Sequence, residues 1–344
     1  MARPTLDACV RRLGEQTDLT ATAVRPLLAV SGGPDSVAML VMMAALRPGR
    51  FAAATVDHGL RPEAAAEAAL VAQLCAERDV SHATLTPAEP IAAPAPDPLV
   101  GQSWTVGGQI DSVALPVRTS LQGRARNARY DLLTEHARAT GCDVLFTAHH
   151  RDDQAETFLM RASRGSGVDG LAGVRRTTRW RDVPVFRPLL DWQRSDLADV
   201  LRAAEVEAAN DPSNQDPAYD RTRIRALLAG APELRIDGLV RSAAALADAS
   251  EALRWTAEIV AQQRIEEQGD ALLLDIAKLP RELQRRVLAL AIEQQGARAP
   301  RGPTLDHVLR DLAGGARSSL GTLLVEPAAD GRWAVRPSPP RRTG

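Results

Sequence analysis

Six consecutive residues, Ser31-Gly32-Gly33-Pro34-Asp35-Ser36, combine glycines, hydroxyl donors and one carboxylate. A phosphate suits such a turn, because no Cβ at Gly32 or Gly33 would hold it away from backbone N–H groups. Ser31 and Ser36 add hydroxyl donors. Asp35 is the informative residue: a carboxylate inside an anion cradle is costly unless a cation such as Mg²⁺ bridges it to the ligand. A second cluster runs His149-His150-Arg151-Asp152-Asp153-Gln154-Ala155-Glu156. Its His149, Asp153 and Glu156 are spaced to approach one helical face. They could bind a hydrolytic metal directly, or position a nucleotide, Mg²⁺ and the nucleophile opposite the first turn. No second His/Asp cluster completes a two-metal site, and Asp57-His58 is the only candidate contributor.

These residues need elements to hold them. Leu27–Val30, bounded by Pro26 and the glycine pair, reads as a short buried strand, and Val37–Leu46 as a helix. Strand, glycine turn and helix aim a helix N-terminus at an anion. This is not the Walker pattern, since no G-x-x-x-x-G-K-[ST] occurs and the turn has no lysine. Phe51–Val56 reads as the next strand and ends at Asp57-His58-Gly59. A helix joins the two, which makes a right-handed parallel unit with both loops at one crevice. An alanine-rich helix from Pro62 to about Arg78 and a strand near His82–Leu85 follow. Asp143–Thr147 reads as another buried strand that delivers the second cluster to the same edge, with Asp152 or Asp153 capping a new helix. The expected class is α/β: an open, mostly parallel sheet flanked by helices.

Between these elements, residues 87–111 carry five prolines from Pro87 to Pro98, then Gly101, Gly107 and Gly108, and read as a mobile insertion that includes Trp104. Arg126 and Arg129 share a helical face with Tyr130 alongside. From Arg161 to Arg187 there are seven arginines against two aspartates, with Trp180 among them, a composition suited to an RNA groove. Asp211-Pro212-Ser213-Asn214 is a turn by its chemistry, and it leads to Arg221, Arg223 and Arg225. The expected division is 1–228 as the catalytic domain and 229–344 as a smaller, mainly helical C-terminal domain. Short strands or a hairpin are expected in the latter at Leu272–Ile276, Gly321–Pro327 and Arg332–Arg336.

Over 344 residues, 42 basic residues balance 43 acidic ones, so any RNA site must be a local patch. Three dispersed cysteines form no C-x-x-C pair, and no apolar run approaches the ~20 residues that span a bilayer. A soluble cytoplasmic enzyme with no membrane association is expected.

Ser31–Ser36 resembles the S-G-G-x-D-S signature of the PP-loop ATP pyrophosphatases. Val56-Asp57-His58-Gly59-Leu60-Arg61, the A-R-x-x-R-Y core at Ala125–Tyr130, Thr147–Thr157, Phe186–Leu190, Asp211–Asn214 and Arg221–Arg225 follow in the order of the tRNA(Ile)-lysidine synthetase family. Thr222 stands where that family has asparagine. The resemblance implies ATP-dependent ligation of free L-lysine to the wobble cytidine of a CAU-anticodon tRNA(Ile), through an adenylated cytidine. It implies ATP and Mg²⁺ at Ser31, Gly32, Gly33, Pro34, Asp35 and Ser36, with Asp57, His58 and Arg126 near the nucleotide and Asp35 on the metal. Asp35, His149, Asp153 and Glu156 become the catalytic candidates, with the proton acceptor open between Asp153 and Glu156. Arg129, Arg164, Arg221, Arg223 and Arg225 become the tRNA contacts, and the C-terminal domain a tRNA-docking element. A 2-thiolation enzyme of the same superfamily, a metal-dependent phosphohydrolase and a non-catalytic tRNA-binding protein are the alternatives. The oligomeric state is left open, a homodimer included.

Overall fold

A computed structural model describes residues 5–17, 24–59, 63–89, 121–209, 220–300 and 302–338. Most of the expected insertion, Trp104 and the Asp211–Asn214 turn lie outside them. The chain forms two compact units, Met1–Met160 with Val174–Val240, and Arg161–Gly173 with Arg241–Gly344.

In chain order the elements begin with α1 (Leu6–Thr17), β1 (Pro26–Ala29), α2 (Pro34–Leu46), β2 (Ala52–Val56), α3 (Glu63–Ala76) and β3 (Ser81–Leu85). Next come α4 (Leu121–Ala139), β4 (Val144–Phe146), α5 (Arg151–Ala162) and α6 (Val168–Leu171), the last within the segment assigned to the second unit. Then follow β5 (Thr177–Trp180), β6 (Val183–Phe186), α7 (Arg194–Ala203) and α8 (Asp220–Gly230).

The first unit is built on a six-stranded sheet in the order β3-β2-β1-β4-β6-β5. Every neighbouring pair is parallel except β5–β6, an antiparallel hairpin at the edge. Alternation explains why β1 sits centrally. Leu28 packs into the cluster on one face, with Met39 and Met42 of α2 and Val200 of α7. Leu27 packs into the other, with Tyr130, Leu133 and Ala137 of α4. Both leucines are fully buried, and each such side chain contributes about 1.5–3 kcal/mol. Helix α2 is apolar all round and buried from Ser36 to Met43, as a helix covered on every side must be. The strand order places the carboxyl ends of β2, β1, β4 and β6 side by side, and the loops that follow them hold the expected chemistry.

The second unit contains α9 (Ile236–Arg264) from Arg241 onward, β7 (Ile265–Gln268), β8 (Ala271–Leu274), α10 (Arg281–Gln294), α11 (Gly302–Ala313), β9 (Ser318–Leu320), β10 (Leu323–Pro327) and β11 (Trp333–Pro337). Its strands form a five-stranded antiparallel sheet, β7-β8-β11-β10-β9. A sheet therefore accompanies the helices expected there. Leu288 and Leu309 pack against Leu274, Val325 and Val335 in its core. Segment 161–173 is tied in through Asp169, which accepts hydrogen bonds from Ser250 and, at 2.9 Å, from Arg286. Among the described residues no helix is long and apolar enough to cross a membrane.

Candidate active site

The turn after β1 has the geometry its glycines permit. Gly32 has φ +86°, the left-handed region, and a Cβ there would lie 3.4 Å from the Glu67 Cβ. Its carbonyl accepts the Ala209 N–H at 2.9 Å. Gly33 is the N-cap of α2, and Pro34 opens the helix, where a missing N–H costs nothing. The Ser36 hydroxyl donates to the Gly33 carbonyl at 2.9 Å and accepts the Ser31 N–H at 3.1 Å, which closes the turn. In the first turn of α2 the N–H groups of Asp35 and Ser36 have no helical acceptor, so they are available to an anion.

Asp35 meets the loop after β4. Its Oδ2 lies 3.3 Å from His150 Nε2, while its Oδ1 is buried with no partner. His150 is fully buried, with Asp152 at 3.4 Å and Asp153 at 3.6 Å completing a ring of three carboxylates. Burial alone would lower its pKa, but Asp152, Asp35 and Asp153 outweigh that and bring it up to about 9. His150 is thus an imidazolium at neutral pH. Burial likewise opposes ionisation of Asp152, yet His150 and the Arg194 N–H bring its carboxyl down to about 2. His149 behaves in the opposite way. Burial, then the charges of Arg187, Arg126 and Arg221, hold it well below the usual histidine value, so its ring is neutral. Its Nδ1 lies 3.0 Å from the Thr147 hydroxyl.

Neither Asp152 nor Asp153 is the cap residue, as the pattern suggested. Helix α5 starts at Arg151, which puts the cap at His150, two residues ahead of Asp152. Asp153 reaches back from the first turn to accept the His150 N–H at 3.0 Å, the returning half of a capping box. Asp153 and Glu156 do converge, through Arg221, which donates to Asp153 at 2.6 Å and to Glu156 at 2.7 Å. Arg225 at 3.0 Å and Arg194 at 3.1 Å share the other oxygen of Glu156. Burial raises the Glu156 pKa, but Arg225 and Arg221 more than reverse it and hold the carboxyl below its usual range. His149 stands apart, two residues before the helix, so the three expected partners do not share one face.

Across the crevice, Asp57 accepts the Gly59 N–H at 2.8 Å, and His58 Nε2 accepts from Arg129 Nε at 3.4 Å. The Arg126 guanidinium lies 5.1 Å from the Tyr130 ring centre. Arg223 is exposed and pairs with Asp220. Arg164 is exposed and belongs to the second unit.

The arginine-rich stretch from Arg161 to Arg187 is divided between the two units. Arg161 donates to the Gly170 carbonyl within the second unit. In the first unit Arg176 pairs with Asp191, Arg181 pairs with Asp131, and Arg187 is buried. Trp180 stacks on Tyr130 with ring centres 5.0 Å apart, and its N–H donates to Asp131 at 2.7 Å. His150, Arg187 and Arg194 were not picked out by spacing. Adjacent histidines ahead of Asp152-Asp153 are the one signal that pointed to the first. Among the described residues no group of three or more His, Cys, Asp and Glu side chains is arranged to hold a metal ion.

A PP-loop domain model matches residues 8–231. The chain is similar to the tRNA(Ile)-lysidine synthase of Novosphingobium aromaticivorans, with 37% identity over 93% of this chain and 90% of that one. It is also 37% identical to the tRNA(Ile)-lysidine synthase of Zymomonas mobilis, over 92% and 89% of the two chains. Among solved structures, the U34-tRNA thiolase of Methanococcus maripaludis shares the fold, with a TM-score of 0.53 and 15% identity over 71% of this chain and 78% of that one. The chain therefore belongs to the tRNA(Ile)-lysidine synthase family of PP-loop proteins.

Proposed function

We propose that this chain joins free L-lysine to the wobble cytidine of a CAU-anticodon tRNA(Ile) in the cytoplasm, converting ATP to AMP and pyrophosphate. The observation that supports this reading most strongly is the meeting of Asp35 and His150, 3.3 Å apart, at the ends of neighbouring strands β1 and β4. It brings the phosphate turn and the Asp153–Glu156 cluster into one site.

In the first step the cytosine carbonyl oxygen bonds to the α-phosphorus of ATP and the bond to the bridging oxygen of the β-phosphate breaks. The Ser31–Ser36 turn receives the departing pyrophosphate through backbone N–H groups and hydroxyls. Asp35 fits a magnesium site, because its buried Oδ1 has no protein donor to satisfy it. Mg²⁺ bound there neutralises phosphate charge. Asp57, His58 and Arg126 line the nucleotide side. In the second step the lysine ε-amine bonds to the activated ring carbon and AMP leaves. Asp153 and Glu156, joined through Arg221, are the carboxylates available to accept the amine proton. Arg129, Arg164, Arg221, Arg223 and Arg225 contact tRNA phosphates, and the 229–344 domain docks the tRNA. Sulfur transfer finds no support in the cysteines, since Cys9, Cys75 and Cys142 are all buried in hydrophobic clusters.

The test is release of AMP and pyrophosphate with protein alone, plus lysine, plus the tRNA, and plus both. Turnover should require both substrates. Release with tRNA that is indifferent to lysine would point to another nucleophile, and no AMP under any condition would overturn the reading.

A further inference from the structure

Five arginines of the first unit's crevice differ in their partners. Arg194, Arg221 and Arg225 all pair with Glu156. Arg126 and Arg187 have no carboxylate partner among the described residues. Arg187 follows β6 directly and is only 4% exposed. Its Nη1 donates to the Arg175 carbonyl at 2.7 Å and to the Thr178 hydroxyl at 3.1 Å, both uncharged acceptors. Its Nε is buried with no partner at all. An isolated buried charge is costly unless an anion answers it. Tyr130, itself buried, stands between the two cations, with Arg126 over its ring and its hydroxyl beside Arg187. The Trp180 ring also packs against Tyr130.

We propose that Arg187 is a phosphate-positioning residue whose buried, unanswered charge acts with Arg126 across Tyr130 to seat the phosphate of the adenylyl group at the ends of β4 and β6. Arg126 makes the contact and Arg187 acts through its field. β4 lies next to β1 and β6 next to β4, so this seat lies on the same sheet edge as the β1 turn that receives pyrophosphate. The inference rests on the nucleotide-activating reading above.

Calorimetric titration of the full chain with AMP, adenosine and pyrophosphate separates the two. Arg187→Gln keeps donors for the Arg175 carbonyl and Thr178 but removes the charge, and Arg187→Lys keeps the charge. The ratio of AMP to adenosine affinity should fall about tenfold in the glutamine variant. In the lysine variant it should stay within about threefold of wild type, and pyrophosphate affinity should be unchanged in both. An unchanged ratio in Arg187→Gln overturns the proposal, as does a fall in Arg187→Lys as large as that in Arg187→Gln, which would make the residue a structural clasp. Failure of the wild-type protein to bind either AMP or pyrophosphate would count against the nucleotide-activating reading itself.

Discussion

Glu156→Gln is the perturbation whose size the structure constrains best. The carboxylate is 1% exposed and takes hydrogen bonds from Arg221, Arg225 and Arg194 at 2.7, 3.0 and 3.1 Å. Glutamine keeps the volume but turns an amide NH₂ toward at least one guanidinium. Arg194 and Arg225 then lose this counter-charge, whereas Arg221 keeps Asp153. Breaking a fully buried pair costs about 3–5 kcal/mol. Here the arginine side chains are 34–41% exposed, so solvent screens part of the loss. A cost of about 2 kcal/mol is expected, a fall of about 4–8 °C in melting temperature. The pH dependence identifies the cause. The folded-state pKa of Glu156 lies below its ordinary 4.5. Its contribution is therefore present above that ordinary value and is lost as pH falls through the folded value. Urea unfolding followed by tryptophan fluorescence should show a constant gap between wild type and variant from about pH 5 to 8, closing at lower pH. Equal stabilities at pH 7, or a gap that persists once wild-type Glu156 is protonated, would refute the charge-hub account.

Asp35→Asn keeps the turn but weakens the only carboxylate in it; AMP release should fall about 100-fold with loss of Mg²⁺ dependence, measured by product chromatography. His150 has its pKa raised from 6.5 to about 9. In EDTA-containing buffer its contribution should be complete below pH 6.5 and lost as pH rises through about 9, a fall of the order of 3 kcal/mol absent from His150→Gln. Gly32→Ala forces a side chain into φ +86° with Glu67 at 3.4 Å. It should lower stability by about 1–2 kcal/mol in a thermal melt and abolish pyrophosphate binding in calorimetry.

What could be seen in the chain was local. Pro26 and the glycine pair punctuate Leu27–Val30, and a run of four apolar residues so bounded is too short for a helix and fits an inner parallel strand. The strands β1, β2, β3 and β4 and their loops follow from such grammar, because each depends on neighbours a few residues away. The β5–β6 hairpin was hidden because its arginines read as one charged groove. Thr177–Trp180 alternates exposed and half-buried positions, which sends successive side chains to opposite faces. The cap of α5 lies two residues ahead of Asp152 for a related reason: an acidic residue can cap from ahead of a helix or from inside its first turn, and sequence alone permits both.

Charge was the least legible feature, and the physics explains why. Arg221, Arg225, Arg126 and Arg187 are the same residue type, and each sits near motif residues of the family. They differ only in what the fold brings beside them. Arg221 and Arg225 meet Glu156 across 65 and 69 residues of chain, and Arg194 meets it across 38. Arg187 meets the Arg175 carbonyl and the hydroxyls of Thr178 and Tyr130, with no carboxylate among them. The charge of a paired arginine is already answered by its carboxylate, whereas an unpaired buried one gains more by binding a phosphate. Motif membership therefore locates the cations of this crevice, but the long-range pairing of Glu156 decides which of them are left to attract the nucleotide. By that criterion Arg126 and Arg187 should govern AMP affinity, and Arg221 and Arg225 should govern the integrity of the site.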